Sequence, residues 1–139
     1  PKLSKNLKTH ANILFVMKKS VLIIEDETHI AEAQSLILGE YYKVHRALDG
    51  EKGFAMAQKL KPNVIILDIM LPKMSGYEVC RKIRGDDGLK DTKIVMVTAK
   101  NQQIDENMGI EIGADDYIMK PFDADELKHV IEQVLSRKE

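Results

Sequence analysis

Three carboxylates, one hydroxyl and one ammonium group stand directly after short apolar runs in this chain, a set suited to a hard cation and a phosphoryl group. Val21-Leu22-Ile23-Ile24 runs into Glu25-Asp26, and Val64-Ile65-Ile66-Leu67 runs into Asp68. Ile94-Val95-Met96-Val97 runs into Thr98, and Tyr117-Ile118-Met119 runs into Lys120-Pro121. Carboxylates held within a few ångströms of one another repel, and they stay ionised only beside a counter-charge. A divalent ion together with Lys120 would offset the three negative charges. Magnesium suits the set: it prefers oxygen ligands, binds through one or two carboxylates, and keeps waters that a phosphate can displace. Manganese is the natural substitute in such an oxygen site. Zinc is a poor match, because no histidine or cysteine cluster accompanies the acids.

The elements that must position these groups are legible as runs and periods. Short, β-branched and apolar at every position, the four runs read as strands buried on both faces of a parallel sheet. In such sheets the ligand crevice lies at the carboxyl ends of the strands. Tyr42 to Ala47 alternates weakly and reads as a further strand, at the sheet edge. Ile30, Ala33, Ile37 and Leu38 recur at helical spacing before a stop at Gly39. Asp49-Gly50 opens a second helix, with Phe54, Ala57 and Leu60 on one face and an end at Lys61-Pro62. Leu71 to Gly76 is a loop, Tyr77 to Arg84 a helix, and Gly85 to Thr92 the longest turn region. A weak helix is expected from about Gln102 to Ile112, with Gly109 costing about 1 kcal/mol in its interior. In the last helix Asp123 is the N-cap, with Glu126 three residues on as in a capping box. Leu127, Val130, Ile131, Val134 and Leu135 then make a continuous apolar stripe.

Strand and helix thus alternate five times, which implies an α/β fold: a single doubly wound, five-stranded parallel sheet with helices on both faces. Right-handed crossovers leave few topologies. The flavodoxin-like order 2-1-3-4-5 brings the ends of the first and third strands together at the switch point, so Glu25, Asp26 and Asp68 would converge.

A chain of 139 residues, 44% hydrophobic and 31% charged, has the composition of one ordinary globular domain. Its net charge of −1 argues against a nucleic-acid-binding domain, which would carry a strongly basic face. Residues 1–19 hold five lysines and no acid, leaving the remainder mildly acidic. This basic leader is expected to lie outside the fold, as a cloning remnant or an upstream extension, the alternative being an added helix or a docking tail, with the domain proper spanning 20–139. Its apolar stretch Ile13-Leu14-Phe15-Val16-Met17 is too short for a membrane span or a secretory signal core. The single cysteine, Cys80, excludes an intrachain disulfide and reads as a small packed thiol in a reducing compartment.

Each site residue alone has a plain structural reading. Asp26 and Asp68 could cap turns or helices, Thr98 likewise, and Lys120 could be an exposed turn lysine. Their recurrence at equivalent strand ends is what favours chemistry. From Ser20 to about Arg137 the chain resembles the receiver domains of bacterial two-component response regulators, the family of the chemotaxis regulator. The matching blocks are Leu22 to Glu27, Ile66 to Glu78, Val97-Thr98-Ala99, and Gly113 to Phe122.

The resemblance implies that Asp68 accepts a phosphoryl group from a phosphohistidine on a sensor histidine kinase or a histidine phosphotransfer protein. It implies magnesium held by Asp26, Asp68 and the backbone carbonyl of Met70, with Glu25 acting through a water. Lys120 would pair with one phosphate oxygen, while the Thr98 hydroxyl and the Ala99 backbone N–H would bond another. Tyr117 resembles the aromatic switch that turns inward as Thr98 moves, and Lys120-Pro121 would be a cis peptide. The weak fourth helix, the fifth strand and the last helix would form the switching surface toward a downstream protein target or output domain, with a phosphorylation-dependent dimer as one form of output. No nucleic acid and no membrane would be bound through this domain, and the expected location is the cytoplasm. Met70 and Lys100, flanking the path of an attacking water, are neither acids nor amides, so a long-lived phosphoryl group is expected. The chain would not be a turnover enzyme. Two alternatives are a pseudo-receiver serving as a protein-binding scaffold, and a haloacid-dehalogenase-type phosphatase. The latter calls for a second Asp where Met70 stands.

Overall fold

A computed structural model of the chain describes residues 18–99 and 113–137. Within them β1 (Ser20–Ile24), β2 (Lys43–Ala47), β3 (Val64–Asp68), β4 (Lys93–Ala99) and β5 (Asp116–Lys120) form one parallel sheet of order β2-β1-β3-β4-β5. The described helices are α1 (Thr28–Leu38), α2 (Gly50–Leu60), α3 (Gly76–Arg84) and α4 (Ala124–Ser136), with a 3-10 turn at Asp87–Leu89. Sheet order and parallel pairing match the expectation from the sequence. The leader through Met17 and the expected helix from Gln102 to Ile112 lie outside the described residues.

The continuous apolar runs end up buried on both faces because helices cover both. Val21, Ile23, Val64, Ile66, Val95, Val97 and Ile118 face α1 and α4. Leu22, Ile24, Ile65, Leu67, Ile94 and Met96 face α2 and α3. Period-two alternation divides each run between two cores, and each fully buried Leu or Ile contributes about 1.5–3 kcal/mol relative to exposure. The stripe of α4 packs as its spacing predicts, with Leu127, Val130, Ile131 and Val134 all buried.

Local capping chemistry sets the helix starts. Asp49, Ser75 and Asp123 each accept a backbone N–H three residues on, from Lys52 at 2.7 Å, Glu78 at 3.3 Å and Glu126 at 2.8 Å. α1 begins at Glu27 with no side-chain cap. Lys61 closes α2 in the left-handed region at φ 48°.

α1 forms where the spacing predicts and buries a stripe that the spaced residues mark only in part. Its buried residues are Ala31, Gln34 and Leu38, whereas Ile30 and Ile37 are half-buried and Ala33 is exposed. Leu38 and, in part, Ile37 of the spaced set thus meet the core, joined by Ala31 and Gln34 from the adjoining stripe. Cys80 is fully buried, and that burial pushes its thiol up to about 11, a packed and unreactive state. Among the described residues no helix is long and apolar enough to cross a membrane.

Candidate phosphoryl and metal site

Glu25, Asp68 and Lys120 meet because strand periodicity aims them alike. Each stands two residues beyond a member of the core under α1 and α4: Ile23, Ile66 and Ile118 respectively. The order β1-β3-β4-β5 then brings the three strand ends to one rim. Lys120 Nζ lies 2.7 Å from Glu25 Oε1 and 3.2 Å from Asp68 Oδ2. Glu25, Asp26 and Asp68 each offer a carboxylate oxygen within 4.8 Å of the others. Glu25 and Asp68 are buried and Asp26 is exposed, so the cup is closed at its base and open at its mouth.

The electrostatics follow from that depth. Burial pushes the Glu25 carboxyl up to about 7, the Lys120 ammonium pulls it back down, and the neighbouring Asp68 carboxylate adds to the rise. Lys120 is itself held above its ordinary value: burial works against its charge, but Glu25 and Asp68 outweigh burial. Asp68 Oδ1 accepts the Met70 backbone N–H at 3.0 Å, which fixes the carboxylate plane. Glu25 Oε2 accepts the Glu27 N–H at 3.2 Å. Gly76 admits the Asp68 backbone closely: a Cβ there would strike the Asp68 carbonyl oxygen and lie 2.7 Å from Ile69 Cα.

The remaining expected residues occupy the same rim with different orientations. Thr98 is buried and stands one residue past Val97, the β4 partner of Asp68. It falls on the opposite parity, two residues beyond Met96, and its hydroxyl lies 3.5 Å from the Ala99 carbonyl. Ala99 pairs with Lys120 in the β4–β5 register. Tyr117 packs against the core under α2 and α3, with its hydroxyl out of solvent. The Met70 side chain is 61% exposed beside the mouth. Lys120-Pro121 is cis. Lys100 lies outside the described residues.

The donor set is all oxygen, hard and anionic, beside one fixed ammonium. It fits a small divalent cation and offers nothing to a soft one. The carboxylates, the ammonium and the strand-end hydroxyl make a place where phosphate charge can be neutralised.

A family model, the response regulator receiver domain, matches residues 21–132. The chain belongs to that family. It is 42% identical over 118 residues to the DNA-binding dual master transcriptional regulator RpaA of Synechocystis sp., covering 84% of this chain and 49% of the relative. The chain thus spans about half the length of the curated relatives it matches. The chemotaxis protein CheY4 of Vibrio cholerae superposes with a TM-score of 0.80 at 31% identity, over 84% of this chain and 98% of that one. The receiver domain of the sensor histidine kinase PA1611 from Pseudomonas aeruginosa PAO1 has a magnesium ion coordinated in its active site cleft. It matches with a TM-score of 0.75 at 28% identity, over 86% of this chain and 99% of that one. As a receiver domain of the response regulator class, this chain is a two-component signalling module, and the phosphatase and scaffold alternatives are not favoured.

Sequence reasoning singled out the acids, Thr98 and Lys120, but not two further groups. Gly76 and the Met70 N–H shape Asp68 through backbone approach, which leaves no compositional trace. The direct Glu25–Lys120 pair joins residues 95 positions apart and depends on the fold.

Proposed function

We propose that this domain accepts a phosphoryl group on Asp68 from a phosphohistidine of a sensor histidine kinase or a histidine phosphotransfer protein, with magnesium as the cofactor and manganese as its substitute. The observation that carries the reading is the Lys120 ammonium shared between Glu25 and Asp68, with Asp26 at the mouth of the same cup. Asp26, Asp68 and the Met70 carbonyl would hold the ion, with Glu25 reaching it through a water. When bound, the ion would supply positive charge to neutralise that of the phosphoryl group.

The chain's own residues do the rest. An Asp68 carboxylate oxygen attacks phosphorus in line, the P–N bond to the donor imidazole breaks, and its electron pair stays on the imidazole nitrogen. The product is an acyl phosphate. Lys120 compensates the charge on the transferred group, and the Thr98 hydroxyl and Ala99 N–H bond its oxygens. Phosphorylation places about −1.5 to −2 of charge where −1 stood, and drawing Thr98 and Lys120 inward biases a two-state surface. That surface comprises β5, α4 and the segment between β4 and β5, with Tyr117 as its aromatic reporter. Its reader is a downstream protein or an output domain, or a second phosphorylated copy.

In this reading Asp68 is consumed as an acceptor, so the domain is not a turnover enzyme, and it works in the cytoplasm without contacting nucleic acid or membrane. The acting unit is residues 20–139, with 1–19 outside it.

A groove beside the site supports docking of the donor protein there. A cavity of about 580 Å³ opens between α1 and the start of α4, lined by Ile30, Ala33, Ile37 and Phe122, and continuing onto Ala99 and Lys120 of the site itself. Gln34, only 2% exposed, lines it with an amide oxygen that has no hydrogen-bond partner. An apolar groove that ends at Lys120 fits a helical surface that presents a phosphohistidine.

The test is intact mass after treatment with acetyl phosphate and magnesium. The parent is expected to gain one phosphoryl group and Asp68→Ala none. An unmodified parent, or a modified Asp68→Ala, would overturn the assignment.

A further inference from the structure

β5 is an edge strand of five residues, and it carries Lys120. Its apolar residues do not specify its own register. Tyr117, Ile118 and Met119 are all apolar, so a one-residue slip would exchange one hydrophobic side chain for another on each face. That slip would still undo the site, because it moves Lys120 by about 3.3 Å and turns its ammonium to the opposite face. Something other than the hydrophobic pattern must therefore hold Val95 opposite Asp116 and Ala99 opposite Lys120.

Asp115, just before the strand, has the right contacts. Its backbone N–H donates to the Ile94 carbonyl at 2.8 Å, and its Oδ2 accepts the Ile94 backbone N–H at 2.7 Å. Both polar groups of one β4 residue are thus taken by one residue. The same Oδ2 accepts Arg84 Nη2 at 2.7 Å. Arg84, at the end of α3, uses its other donors on the entries to both strands: Nε to the Gly113 carbonyl at 2.8 Å and Nη1 to the Thr92 carbonyl at 2.7 Å. A planar guanidinium bonded in three directions is a rigid gauge. Gly113 permits the approach, since it has φ +95° and a Cβ there would lie 2.9 Å from the Arg84 side chain. The two side chains are 22% and 23% exposed, so the pair is largely withdrawn from water.

We propose that Arg84 and Asp115 are positioning residues of the phosphoryl site, pinning the register of β5 on β4 and thereby setting where the Lys120 ammonium stands. The catalytic part of this rests on Asp68 being the acceptor, whereas the register part does not. A misplacement of about 1 Å can cost on the order of a hundredfold in rate, so a slip of a whole residue is ample.

The experiment compares the full chain with Asp115→Ala, Asp115→Asn and Arg84→Met. Asp86→Ala is the control, since it removes a turn bond to Gly88 away from β5. Backbone NOEs between β4 and β5 report the register, and the initial rate of acetyl phosphate-driven phosphorylation reports the site. Asp115→Ala and Arg84→Met are expected to lose the Val95–Asp116 and Ala99–Lys120 contacts, keep those of β1 with β3, and react at least about tenfold more slowly. Asp115→Asn keeps an oxygen for the Ile94 N–H and is expected to recover most of the rate, while Asp86→Ala matches the parent. Parental β4–β5 contacts in Asp115→Ala and Arg84→Met, or slow reaction with those contacts intact, would overturn the proposal. If Asp115→Ala does not fold, an unchanged register in Arg84→Met decides against it. A parent that takes no phosphoryl group defeats the proposed function instead, and the NOE comparison still judges the register.

Discussion

At the scale of single residues, the position of Asp68 depends as much on what is missing beside it as on its own carboxylate. Gly76 has no side chain where one would press on the Asp68 carbonyl oxygen and the Ile69 Cα. Both neighbours are backbone, so neither can rotate away, and the strand end itself would have to shift. Its amide also donates to the Ile69 carbonyl at 2.8 Å, which ties the start of α3 to the end of β3. Gly76→Ala is therefore expected to lower stability by about 1–3 kcal/mol, the usual cost of overpacking. Phosphorylation by acetyl phosphate should slow as well, because the displaced atoms belong to the acceptor residue. Denaturant unfolding and the mass-shift assay measure the two effects separately. Parental values in both would show that the β3–α3 junction yields easily.

At the scale of elements, α1 carries two stripes with different tasks. Ala31, Gln34 and Leu38 lie against the sheet, while Ile30, Ala33 and Ile37 form one wall of the groove that ends at Lys120. Leu36, 74% exposed, extends the apolar character of the outer face. If that face receives the donor protein, a charge on it should separate two kinds of phosphorylation. Ile30→Glu is expected to suppress transfer from a cognate phosphohistidine protein at least about tenfold, through the cost of desolvating a carboxylate in an apolar contact. Acetyl phosphate needs no docking surface and should phosphorylate the variant at the parental rate. Equal loss with both donors would place the effect in the acidic cup rather than in docking. Because Ile30 is only half-buried, the melting temperature should change little.

At the scale of the whole molecule, the acidic cup links function to stability. Burial lifts the Glu25 carboxyl from 4.5 to about 7. Between those limits the native state keeps a proton that the unfolded chain has lost, so stability falls as pH rises through the window. A loss on the order of 2 kcal/mol is expected between about pH 5 and pH 8 in the presence of a chelator. A bound divalent cation favours the ionised carboxylates, so magnesium should flatten the slope. Denaturation midpoints across that range, with chelator and with magnesium, measure both. A flat profile in chelator would mean that Glu25 titrates as an ordinary carboxyl.

The sequence by itself determined the five strand runs, the polar group at the end of each central one, and the cap and stripe of the last helix. Those signals are local: periodicity, β-branching and capping are properties of adjacent residues, and they survive without knowing what each element packs against. It also placed Glu25, Asp26, Asp68, Thr98 and Lys120 on one rim, because parallel strands of a doubly wound sheet share an edge. The tertiary structure alone decided how α1 is turned: packing between the sheet and α4 buries Ala31 and Gln34 beside Leu38 and leaves Ile30 half-buried and Ala33 exposed. It alone paired Lys120 with Glu25, and Arg84 with Asp115 across 31 positions. Spacing along a chain encodes the period of one element but carries no record of which distant element will lie opposite it.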